Sequence, residues 1–181
     1  MLFKDYRLEV SQALEKVSEE EVQTFLRFFE SIIVNDGTLY IAGNGGSHSL
    51  GDHFSCDFTK GNLNTPNNKL RGRAINLSNQ TALVSALEND FDHQSTYSKL
   101  LQYLVRPGDG VLLISSSGKS ANIIEVRAYC ELNLIPYFVL TGMDGLPLTQ
   151  STSSFIKIDS YNYGVIEDCH MSLLHHISQI I

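Results

Sequence analysis

Four serines fall within one six-residue stretch, at Ser115, Ser116, Ser117 and Ser120, around Gly118. Hydroxyls at that density, at the start of a helix whose first N–H groups lack intrahelical partners, suit the oxygens of a phosphate. A helix cap uses a single serine, so a merely capped loop leaves the others unexplained. The spacing is neither GxxxxGK[ST] nor GxGxxG, so the usual nucleotide-binding loops are not indicated. A second loop, Gly43-Asn44-Gly45-Gly46-Ser47, would let the backbone approach a ligand closely, with Asn44 and Ser47 as polar contacts, and reads equally as a plain turn. His53 and Asp57 stand four apart and share a helix face. Glu167, Met171 and His175 form one row on a helix near the C-terminus. Two nitrogens and two carboxylates together make a donor set that suits zinc. A His/Asp pair at this spacing also occurs as an ordinary surface hydrogen bond, and His170 and His176, on other faces, read as core or capping histidines.

These residues need elements to hold them. Apolar residues recur at helical spacing from Leu2 to Val34, and Ser18 with Glu21 reads as a capping box that starts a second helix within that stretch. Asn35-Asp36-Gly37 ends it. Short apolar strands are predicted at Thr38 to Ala42, Arg73 to Leu77, Val111 to Ile114, Tyr137 to Leu140 and Phe155 to Asp159. Helices are expected between them, one capped by Ser78, with a closing helix from about Tyr163 to Ile181. Near-continuous apolar strands alternating with helices imply an α/β fold with a parallel sheet covered on both faces. In such sheets ligands sit beyond the carboxyl ends of the strands, where both loops fall.

The 181 residues suffice for a single domain, with 1–36 as a helical extension and 37–181 as the α/β core. A 43% hydrophobic, 18% charged composition with four prolines belongs to a folded protein rather than a disordered one. A net charge of -7 without any basic stripe argues against nucleic acid. Cys56, Cys130 and Cys169 are odd in number and widely spaced, so a reducing, cytoplasmic setting is expected rather than a disulfide framework. No stretch has the apolar length of a membrane span, and export is not expected.

The glycine loop, His53 and Asp57, the run from Ser115 to Ile123, the run from Leu140 to Gly145, and Ile166-Glu167-Asp168 with His175 occur in that order. Together, from about Thr38 to the C-terminus, they resemble the phosphoheptose isomerases of the SIS (sugar isomerase) domain superfamily. The resemblance implies a doubly wound, flavodoxin-like five-stranded parallel sheet in three layers with N-terminal helices. It implies conversion of sedoheptulose 7-phosphate to D-glycero-D-manno-heptopyranose 7-phosphate, toward bacterial surface heptoses, by a cytoplasmic homotetramer with one zinc ion per subunit. The serine loop would hold the phosphate, and Asn44, Gly45 and Gly46 would line the sugar together with Ser47. Asn89-Asp90 matches a second substrate-contacting pair. The family's metal ligands, His, Glu, Gln and His, fall on His53, Asp57, Glu167 and His175.

Two of those four differ from the family pattern. Asp57 is one methylene shorter than the family's glutamate, which is also its proposed proton-transfer base, and Glu167 adds a charge where the family has glutamine. The family pattern GYADRIQE is also broken, at Asn162 to Glu167. Asp57 is expected to act as base and His175 as acid. With sites at subunit borders, His93 or Gln94 is expected to complete a neighbour's site. The rival readings are an amino-sugar phosphate isomerase or lyase, and a non-catalytic SIS sensor or protein-binding module like the replication-initiator-associating relative.

Overall fold

The computed structural model describes residues 2–61, 72–145 and 154–181. Two helices come first, α1 (Phe3–Glu15) and α2 (Glu19–Val34). The break between them is a complete capping box: the Ser18 hydroxyl accepts from the Glu21 N–H while the Glu21 carboxylate accepts from the Ser18 N–H. Strand β1 (Thr38–Gly43) leads into α3 (Gly46–Gly61), and β2 (Arg73–Asn76) into a 3-10 turn (Leu77–Asn79), α4 (Thr81–Asp90) and α5 (Thr96–Leu104). Strand β3 (Gly110–Ser115) precedes α6 (Ala121–Leu132), and β4 (Tyr137–Thr141) and β5 (Phe155–Lys157) precede α7 (Tyr163–Ile180).

The five strands are parallel in the order β2-β1-β3-β4-β5, with Ile41 opposite Leu112 and Leu113 opposite Val139. Successive strand side chains point to opposite faces, and both faces are covered. Leu39, Ile41, Leu112 and Ile114 join one buried cluster with α2, α3 and α7, where Phe25, Phe29, Phe54 and Phe138 pack ring against ring. Tyr40, Ala42, Val111 and Leu113 join the other with α5 and α6. This is why the strands read as continuous apolar runs. The α/β doubly wound sheet is as expected, and β1 and β3 are neighbours whose chains leave in opposite directions. Their carboxyl ends frame the crevice at the switch point of such a sheet.

Two local expectations are corrected. Ser78 does not cap a helix: it lies inside the 3-10 turn, where its hydroxyl reaches the Gly43 carbonyl and the Tyr97 hydroxyl, and α4 starts at Thr81 without a side-chain cap. Strand β5 ends at Lys157 rather than Asp159, because the chain turns away once the Ile158 N–H has bonded Thr141 O and the Ser160 N–H turns back onto Ile158 O.

Candidate functional site

The glycine and serine loops meet. With α7 they enclose a cavity of about 340 Å³, lined by residues 44–47, by residues 114–117 with Ser120, and by Tyr163 and Glu167. Each wall follows from local sequence. After β1 the chain reverses through Gly45, whose φ of 52° is open to glycine at no steric cost, and α3 begins at once. After β3 a turn through Gly118, at φ 66°, brings Ser120 to the N-cap of α6 in extended conformation. Ser120 makes no capping hydrogen bond there; its hydroxyl accepts instead from Ser115 at 3.3 Å. Ser116 is 4% exposed and its hydroxyl has no partner. A buried hydroxyl left so costs about 1–3 kcal/mol, which a ligand oxygen in the cavity would offset.

The cradle is uncharged on the serine side. Lys119, the cation in that loop, turns outward and pairs with Asp144 at 2.5 Å, while its N–H donates to the Ser117 hydroxyl. Hydrogen bonding to Asp144 raises the Lys119 pKa and holds the Asp144 carboxyl below its ordinary value. The donors left for an anion are hydroxyls and the first N–H groups of α6.

A line of hydrogen bonds backs the serine loop. His170, fully buried on α7, contacts the Thr141 carbonyl through Nε2 at 3.0 Å, and the Thr141 hydroxyl donates to Ser115 O at 2.9 Å. A carbonyl only accepts, so Nε2 carries the proton. Burial pushes the His170 pKa down to about 4 and leaves Nδ1 unpartnered. On the crevice side, Asn44 and Asn122 form a reciprocal amide pair at 2.8 and 2.9 Å, with Asn122 only 2% exposed.

Along α3 and α7, away from the cavity, His53, Asp57 and His175 converge. His53 Nε2 lies 3.3 Å from Asp57 Oδ2, His175 Nε2 lies 3.2 Å from His53 Nε2, and His175 Nε2 lies 3.9 Å from Asp57 Oδ2. Ligands about 2.1 Å from a tetrahedral zinc stand about 3.4 Å from one another, so these three atoms fit three corners of such a site. Two imidazoles and a carboxylate also have the chemistry for it.

Glu167 stands outside this group. It begins the same row on α7, but about 12 Å of helix rise separates it from His175. Its carboxylate packs on Gly46 so closely that a Cβ there would fall 2.3 Å from Oε1. It therefore belongs to the wall of the cavity between the glycine and serine loops. Asn89 and Asp90 lie exposed at the end of α4, bonded to each other at 3.0 Å, and are not part of that wall. His93 stands beside its own chain's Asn122, at 3.4 Å. Gln94 points to Glu125 at 3.4 Å. Residues the spacing did not reveal are Tyr163, Asn122 and Thr141. Asn122 and Thr141 lie in the runs that carry the family resemblance, and Tyr163 in the segment where the family pattern breaks.

A family model described as the SIS domain matches residues 3–133. The phosphoheptose isomerase of Neisseria meningitidis serogroup C / serotype 2a is 30% identical over 82% of this chain and 76% of its own length. This chain belongs to the SIS-domain family, among its phosphoheptose isomerases. A probable phosphoheptose isomerase of Thermoplasma volcanium matches all of the chain and 91% of its own length at 25% identity. The solved phosphoheptose isomerase of Neisseria gonorrhoeae, 27% identical, superposes with a TM-score of 0.85 over 98% of this chain and 92% of that one. In this SIS-domain chain, no helix among the described residues is long and apolar enough to cross a membrane.

Proposed function

We propose that the protein is an aldose-ketose isomerase that converts sedoheptulose 7-phosphate to D-glycero-D-manno-heptopyranose 7-phosphate, as the names of its relatives suggest. The observation that carries this reading is the pairing of two chemically distinct centres on one helix pair. The α3 and α7 helices share a direction: Gly46 meets Glu167 at the cavity, and His53 and Asp57 meet His175 further on. Gly46 and His53 are about 10 Å apart along α3. A heptose 7-phosphate carries its phosphate at one end and its reacting carbons at the other. The serine loop takes the phosphate and supplies orientation and remote binding energy.

At the other end, the Asp57 carboxylate lifts a proton from C1 of the ketose and returns it to C2. His175 gives a proton to O2 and takes the one leaving O1, so that the enediol collapses to the aldose. His53 is within 3.3 Å of Asp57 and helps to hold it. His53, Asp57 and His175 would hold the zinc ion, one per subunit, which when bound supplies Lewis-acid polarisation of the carbonyl. A sensor that only binds sugar phosphate has no use for this convergence.

We place the enzyme in the cytoplasm, as a homotetramer. Supporting assembly, α4 carries Ala82, Leu83, Val84, Ala86 and Leu87 yet buries no residue, and Leu2, Phe3 and Leu8 at the N-terminal end are all more than half exposed. Asn89 and Asp90 end that unburied helix, which suits contact with a neighbour's substrate.

The test is turnover of sedoheptulose 7-phosphate by the purified protein, with metal content measured on the same sample and activity repeated after chelation and return of zinc. Metal-dependent isomerisation supports the whole reading. Bound metal without turnover removes the heptose, and neither metal nor turnover removes the enzyme.

A further inference from the structure

Outside the centres already described, one chain of polar side chains leads from the surface into the cavity wall. Glu88, on α4, contacts His93 Nδ1 at 2.6 Å. His93 Nε2 lies 3.4 Å from Asn122 Nδ2, and Asn122 is locked to Asn44, which lines the cavity. The direction of every bond in this chain follows from its outer end. A carboxylate only accepts, so His93 Nδ1 carries the proton and donates to Glu88. The Asn122 atom facing Nε2 is the amide nitrogen, which only donates, so Nε2 is the acceptor. Asn122 therefore spends one N–H on His93 and the other on Asn44 Oδ1, and its own Oδ1 accepts from Asn44 Nδ2. Asn44 is left with one N–H and one lone pair for the cavity, in a fixed arrangement.

Resting on the reading of the cavity as a sugar-phosphate site, we propose that Glu88 and His93 form a positioning relay that sets which end of the Asn44 amide faces which hydroxyl of the sugar. His93 does so without touching the substrate. Without the relay both amides are free to rotate by half a turn, because the Asn44–Asn122 pair is equally well bonded either way round. The relay breaks that symmetry and makes the cavity selective for one arrangement of hydroxyl donors and acceptors. It is built in cis, from contacts within one chain.

The test compares wild type with His93→Leu, His93→Gln and Glu88→Gln, measuring calorimetric binding of sedoheptulose 7-phosphate and of inorganic phosphate, together with turnover. Loss of one oriented hydrogen bond predicts a KM about tenfold higher in His93→Leu with kcat nearly unchanged. Inorganic phosphate binding stays as in wild type. His93→Gln, whose side-chain oxygen still accepts from Asn122, restores most of the affinity. Glu88→Gln, almost the same size but able both to donate to and to accept from Nδ1, no longer fixes the ring proton and weakens the sugar less than His93→Leu does. Equal effects of Leu and Gln at position 93, or none from either, overturn the relay. If wild type binds inorganic phosphate but not the sugar, the substrate reading fails instead. The relay is then decided by the side-chain amide NMR signals of Asn44: movement in His93→Leu and Glu88→Gln but not in His93→Gln upholds it, and no movement overturns it.

Discussion

The two ends of the site are built in opposite ways. The proposed phosphate end is made mainly of short, buried groups, with Glu167 as a carboxylate in its wall: Ser115, Ser116 and Ser47 are each no more than 5% exposed, and His170 and Thr141 brace Ser115 from behind. The other end is made of long, ionisable side chains on helix surfaces, with the His53, Asp57 and His175 side chains 52%, 28% and 44% exposed. A buried loop is preorganised by its own hydrogen bonds and needs nothing further to bind an anion. An exposed His/Asp cluster gains geometry and a dry environment only from what binds to it or covers it. If each end has the role we propose, binding and catalysis are separable in this molecule, and each end has its own way of failing.

The sharpest break should come at the exposed end. Asp57→Asn and His175→Ala are each expected to lower kcat by about a hundredfold to ten-thousandfold while binding of inorganic phosphate is unchanged, as read by steady-state kinetics beside calorimetry. Equal losses of phosphate binding would show that the two ends are not separable.

Acid should act on the other end. His170 has a folded pKa of about 4, below the ordinary 6.5, so the unfolded chain binds the extra proton first. Its contribution to stability is whole above about 6.5 and is lost as pH falls toward about 4, by on the order of 3 kcal/mol. Denaturant midpoints of wild type and His170→Gln across that range measure it: the fall should be shallower in the variant, since glutamine does not titrate.

Ser116→Ala is a smaller and more pointed change. The hydroxyl has no partner, so its removal should leave the free protein as stable or slightly more so, yet raise KM by about tenfold. The smallest effect is expected from Lys119→Ala, below about twofold in KM, because the ammonium is already paired with Asp144 at the surface. A large loss there would mean that the phosphate is clamped by charge after all.

Much of this architecture is legible in the amino-acid order. The capping box at Ser18, the glycine and serine loops and the continuous apolar strands are signals carried within a few residues of one another, so their geometry follows from spacing alone. Local signals mislead where a stronger partner arrives from elsewhere in the chain. Ser78 looks like a cap but bonds Gly43 and Tyr97. Glu167 shares a row with His175, yet packs against Gly46 at the start of another helix.

The order of residues alone carried the α/β class, the glycine and serine loops and the placing of His53 with Asp57 on one helix face, because periodicity and turn chemistry are local. It took the tertiary structure to bring His175 to them across 122 residues, to lock Asn44 to Asn122 across 78, and to set Glu167 in the cavity wall and His93 beside Asn122. Those contacts depend on which helices the parallel sheet sets side by side, and spacing along a chain carries no record of that order.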